Sequence, residues 1–138
     1  MNSLDLKQGD IEKINELLIK IANPYITYIF GSASKGTMKD DSDIDIAFLS
    51  DREFMDYEVF MLAQELAAVL GRDVDLVNIH KASTVFKAQI VGTGKVIFCN
   101  NDIRRMYFEM YALKDYALLN EERVHVLEAI EKRGNIYG

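Results

Sequence analysis

The chain has 138 residues, enough for one domain with a core that needs no covalent staple, with 49% hydrophobic and 28% charged residues, which excludes disorder. A net charge of −6 gives no general attraction to phosphate backbones, so non-specific nucleic-acid binding is disfavoured. The single cysteine excludes an internal disulfide framework, and neither a signal peptide nor a membrane-length apolar run is present, so a cytoplasmic protein is expected.

Ile11, Ile14, Leu17, Leu18 and Ile21 recur at helical spacing, and Asn23-Pro24 should stop that helix. Tyr25 to Phe30 is β-branched and aromatic and reads as a buried strand. Gly31-Ser32-Ala33-Ser34-Lys35-Gly36 follows as a small-residue turn that could open a short helix. An acidic stretch leads to a second strand, Ile44 to Leu49. Between Lys39 and Glu58, eight acids face two bases, which equals the whole net charge. Such a run is most often a solvated face, but a concentrated one can also hold cations. Phe54 to Leu70 reads as a helix capped by Gly71. Asp73 to Ile79 is expected as a third strand, Ala82 to Val91 as a helix ending at Gly92, and Lys95 to Cys99 as a fourth strand. From Asp102 to about Lys132 the pattern is helical, with a break expected near Asn120. No repeat or linker divides the chain, so residues 1–138 are expected to form a single domain. Its fold class is expected to be α+β, with a layered, mixed sheet of about four strands.

The acidic strand is where packing alone does not explain the residues. Side chains alternate faces along a strand, so in Asp43-Ile44-Asp45-Ile46-Ala47-Phe48 the isoleucines and Phe48 share one face and the two aspartates the other. Neighbouring carboxylates repel unless a cation or donor compensates. Asp75, in Asp73-Val74-Asp75-Leu76-Val77, faces the same point if the second and third strands are neighbours. Three carboxylates suit hard divalent ions, Mg²⁺ above all, and two such ions can clamp both oxygens of a phosphoryl transfer. At Gly31-Ser32, glycine permits close approach to a phosphate and a helix start favours an anion. Lys35 and Lys39 would add positive charge against a triphosphate.

Gly31-Ser32, ten residues, then Asp43-x-Asp45 resembles the Gly-Ser-x10-Asp-x-Asp signature of the nucleotidyltransferase superfamily that includes DNA polymerase β. The form with Gly36 and Ser42-Asp43-Ile44-Asp45 is similar to the minimal nucleotidyltransferases (MNT, MntA-like), the antitoxin halves of HEPN–MNT toxin–antitoxin pairs. The specific resemblance covers about Tyr25 to Ile79. The family often has alanine and arginine where this chain has Ser34 and Lys35.

The resemblance implies a DNA polymerase β-like nucleotidyltransferase fold with a long C-terminal helix. It implies that Asp43, Asp45 and Asp75 bind two Mg²⁺ ions and act in catalysis, with Asp75 helping to deprotonate the attacking hydroxyl. Gly31 and Ser32 would hold the β- and γ-phosphates of ATP, with Lys35 beside them. The implied reaction is transfer of AMP to a tyrosine of a HEPN ribonuclease toxin (HepT-like) encoded by a neighbouring gene, with pyrophosphate leaving. Only about 60 residues follow Asp75, so the acceptor site is expected to come from the partner. Tyr107, Tyr111, Tyr116, Met106 and Met110 are candidates for the partner-facing surface, with packing on the sheet as the alternative. A small-molecule acceptor, or steric masking of the toxin without catalysis, are the competing functions. Homo-oligomerisation stays open.

His80 and His125 have no acid or nucleophile at motif spacing and are expected at the surface. Cys99 reads as a small hydrophobe at a strand end. Arg104-Arg105 could pair with an acidic partner or a helix neighbour, and the solvated reading is favoured. Arg123 and His125 lack the Arg-x(4–6)-His spacing of a HEPN nuclease, so the chain is not expected to be the toxin half.

Overall fold

The computed structural model describes residues 6–31 and 43–137. Helix α1 (Gln8–Ile21) buries Ile11, Ile14 and Leu18 along one stripe. It stops where Asn23 takes a left-handed φ of 45° ahead of Pro24, a conformation that asparagine tolerates better than most residues. Strand β1 (Pro24–Phe30) follows at once and is buried over all seven residues. Strand β2 (Ile44–Ser50) pairs antiparallel with it. The Ser50 hydroxyl donates to the Ala22 carbonyl at 2.6 Å, which ties the end of β2 to the turn before β1.

Helix α2 (Asp56–Leu70) begins two residues later than expected. The Met55 N–H donates to the Glu58 carboxylate at 3.1 Å and so fixes the first turn. Gly71 ends it with φ 68°, as expected of a glycine stop. This helix is the crossover that a parallel pair requires, and β3 (Val74–Asn78) lies parallel to β2. A 3₁₀ turn (Ile79–Lys81) then precedes helix α3 (Thr84–Thr93). The expectation of a helix from Ala82 to Val91 is displaced by two residues because Ser83 is the N-cap, its hydroxyl accepting from the Phe86 N–H at 3.1 Å. Gly92 lies inside this helix, and Gly94 ends it. Strand β4 (Lys95–Cys99) closes the other side of β1.

The sheet order is β3-β2-β1-β4, a mixed four-stranded sheet. The last helix, α4, runs unbroken over Asp102–Tyr137, 36 residues. The break expected at Asn120 is absent: asparagine costs little inside a helix, and Leu118, Leu119, Glu121 and Glu122 around it are strong helix formers. None of the described helices is long and apolar enough to cross a membrane.

Alternation in the central strands feeds two cores. Ile44, Ile46 and Phe48 join Ile14, Leu18 and Leu66 beneath α1 and α2. Ala47 and Leu49 join Ile26, Tyr28, Ile79 and Ile90 on the face of α3 and α4. Asp45 lies on this second face, at the end of β2 where the apolar residues give out. The fold is therefore the layered α+β arrangement expected, with the acidic strand at its centre.

Candidate active site

The register of the sheet brings the acids together. Asp45 is paired with Asp75 across the parallel β2–β3 ladder. In-register Cα atoms on neighbouring strands are about 4.8 Å apart, and both side chains project from the same face. Asp43 precedes β2 and shares the Asp45 face by alternation. Asp43 and Asp75 are exposed, and Asp45 is half-buried.

The electrostatics record this crowding. Burial pushes the Asp45 carboxyl up to about 6, and the charges of Asp75 and then Asp43 push in the same direction. A carboxylate held this way is short of positive charge. As the side chains stand, no three His, Cys, Asp or Glu residues among the described ones converge into a metal-holding cluster. The donor set itself fits Mg²⁺: oxygen ligands only, solvent access for waters and phosphate oxygens, and one member whose ionisation a cation would restore.

Gly31 explains itself in this geometry. It ends β1 beside Phe30, which is paired with Asp45. Its φ is 68°, and a Cβ added there would run into the Asp45 carboxylate, with Asp45 Cγ 3.2 Å away. Only glycine lets the backbone turn here while Asp45 keeps its place. The structure therefore brings together Gly31, Asp45 and Asp75, with Asp43 at the entry to β2. Ser32 and Lys35, with the short helix that the turn could open, lie outside the described residues.

The other candidates separate from this site. His80 is exposed on the 3₁₀ turn, its Nε2 3.0 Å from the Ser50 carbonyl, and His125 is exposed on α4. Cys99 is half-buried against the second core. Arg104 corrects its expectation of a merely solvated side chain. Its guanidinium makes two bonds to the Asp51 carboxylate, at 2.7 and 2.9 Å, and lies 3.6 Å from the Tyr25 ring centroid. No sequence spacing links residues 51 and 104, so only the tertiary fold could reveal the pairing. Of the candidate partner-facing residues, Met106, Tyr107, Met110 and Tyr111 are exposed, and Tyr116 is half-buried.

The model of the polymerase β nucleotidyltransferase family matches residues 12–103, which spans β1 to β4 and all the placed acids. The chain belongs to this family. Among curated proteins it is 35% identical over 126 residues to the protein adenylyltransferase MntA of Shewanella oneidensis, covering 91% of this chain and 90% of that one. A solved toxin–antitoxin structure with AMP-PNP superposes with a TM-score of 0.78 at 35% identity, covering 87% of this chain and 97% of that chain. A second, the MNT antitoxin in complex with a tri-AMPylated Shewanella oneidensis HEPN toxin, gives a TM-score of 0.76 at 32% identity, covering 91% and 98%. The family resemblance read from Gly31-Ser32 and Asp43-x-Asp45 is thus borne out.

Proposed function

We propose that this chain is an antitoxin that transfers AMP from ATP to a tyrosine hydroxyl of a HEPN-family partner protein and so silences it. The observation that carries the reading is the pairing of Asp45 with Asp75 across β2–β3, with Gly31 cut away to make room for the Asp45 carboxylate. Asp43, Asp45 and Asp75 are the ligands that would hold Mg²⁺, and bound Mg²⁺ supplies charge neutralisation at the phosphates. Gly31 and Ser32 cradle the β- and γ-phosphates, and Lys35 adds positive charge beside them. The acceptor oxygen forms a bond to the α-phosphorus as the bond to the pyrophosphate oxygen breaks. The hydroxyl proton passes to Asp75, and pyrophosphate leaves. Catalysis is then largely positioning and preorganised charge. Residues 1–138 act as one domain in the cytoplasm, and the exposed Met106, Tyr107, Met110 and Tyr111 of α4 offer a docking face of the composition interfaces favour.

The test is label transfer from α-labelled ATP, with Mg²⁺, to the HEPN protein encoded beside this chain. Wild-type protein is expected to label the HEPN protein, and Asp43→Ala/Asp45→Ala protein is expected not to. A double variant that still neutralises the toxin in cells would overturn the catalytic reading in favour of steric masking. Label on a small molecule alone would point to the other competing activity.

A further inference from the structure

Strand β3 is an edge of the sheet, and among the described residues no other strand pairs with its outer side. The Asp73 carbonyl accepts from the Ile44 N–H at 2.9 Å, so by alternation the backbone groups of Asp73, Asp75 and Val77 face β2. Those of Val74, Leu76 and Asn78 face outward. Among the described residues, no backbone hydrogen bond from another element reaches them. An edge of this kind is a template for one more strand.

Along this edge runs a groove of about 610 Å³, lined by all five residues of β3, with α2 as one wall and α3 as the other. Phe60 projects from α2 into it and is 58% exposed, although nothing in the core requires an aromatic there. Phe86 lines the α3 wall and stacks edge-on against Phe30 at 5.6 Å. Near the Asn78 end, the Lys81 ammonium bonds the Asp56 carboxylate at 2.9 Å and joins the two walls. Asp75 also lines the groove, so a chain lying in it passes beside the catalytic carboxylates.

We infer that the acceptor polypeptide binds as an extended strand along the free edge of β3, between Phe60 and Phe86, which carries its hydroxyl to Asp75. The inference rests on the proposed transfer to a protein acceptor and names how that acceptor is held. Backbone pairing with Val74 and Leu76 supplies affinity that does not depend on sequence, and the aromatic walls select alternate side chains. The substrate class that follows is a hydroxyl on an extendable segment, a tail or loop. A tyrosine fixed in mid-helix has its backbone groups already paired and cannot add to the edge.

The test compares wild type with Phe60→Arg, a substitution at an exposed position that blocks the groove, and with Tyr57→Arg, which lies on the same helix outside it. Phe60→Arg is expected to raise the KM for the HEPN acceptor at least about tenfold while binding a non-hydrolysable ATP analogue as wild type does. Tyr57→Arg is expected to leave that KM unchanged. Residue-resolved hydrogen exchange on the wild-type complex with the HEPN protein is expected to show new protection at the Val74 and Leu76 amides. Transfer by wild type with unchanged KM in Phe60→Arg, or with those amides exchanging as in the free protein, overturns the edge-strand inference alone. Absence of any transfer to the HEPN protein by wild type overturns the proposed function, and this inference with it.

Discussion

At the scale of single residues, Asp45 is the most informative group in the molecule. Its carboxyl is raised from 3.8 to about 6, chiefly by burial. Between those values the folded protein keeps a proton that the unfolded chain has lost, so stability falls as pH rises through that window. In metal-free buffer, Asp45→Asn should therefore melt higher than wild type at about pH 8, and the gap should close below about pH 4. The same variant should lose AMP transfer by about 100-fold or more, because it removes a carboxylate from the proposed metal site. Added Mg²⁺ should raise the melting temperature of wild type and leave Asp45→Asn almost unmoved. Gly31 is coupled to the same carboxylate. Gly31→Ala forces an L-residue into φ 68° and a Cβ into Asp45, so it should destabilise by about 1–2 kcal/mol and cut transfer. A thermal melt and a label-transfer assay on one preparation check both. The sequence carried the identity of these residues in full. It did not carry the reason for the glycine, which exists only once β1 and β2 are in register.

Among the elements, the strands were legible to within a residue or two because they are short, apolar and bounded by glycine, proline or acids. The errors fell where a local signal was outvoted. α3 starts at Thr84, not Ala82, because the Ser83 hydroxyl caps it and satisfies an N–H of the first turn. Asn120 does not break α4. The placing of α4 itself is a long-range matter that no local pattern shows. Arg104 clamps its first turn to Asp51 and Tyr25, and the Tyr28 hydroxyl donates to Glu109 at 2.8 Å one turn further on. The Arg104 guanidinium holds the Asp51 carboxyl below its ordinary range. The clamp is thus present at neutral pH and lost as pH falls through the lowered value. Arg104→Ala should lower the melting temperature by about 2–4 °C. Arg104→Lys should recover little of that loss, since an ammonium cannot make the paired bonds of a guanidinium. Melts of the three proteins at neutral pH decide it.

For the whole molecule, the order of helices and strands placed the chain correctly among α+β proteins, and the two-sided burial of β1 and β2 follows from their near-continuous apolar runs. The helical pattern to about Lys132 was legible, but not that α4 would run far past the sheet. At 36 residues it is about 54 Å long, well beyond what a sheet of five- to seven-residue strands can cover. Its less exposed face is Phe108, Ala112, Tyr116 and Leu119, at helical spacing, and Phe108 packs against the second core. From Glu121 to Arg133 every residue is exposed, including Val124, Val126, Leu127 and Ile130. Apolar side chains exposed along two or more turns offer a surface that a partner could cover. Ending the chain after Asn120 should therefore change unfolding free energy by less than about 1 kcal/mol, because residues 121–133 are all exposed. Binding of the ATP analogue should persist, since Gly31, Asp43, Asp45 and Asp75 are untouched. Transfer to the HEPN partner should fall sharply through a raised KM for that partner, with nucleotide affinity constant. If the shortened protein transfers AMP as well as the full chain, the exposed apolar end of α4 is not a docking surface, and the partner is held by the groove beside Asp75 and the face from Met106 to Tyr111.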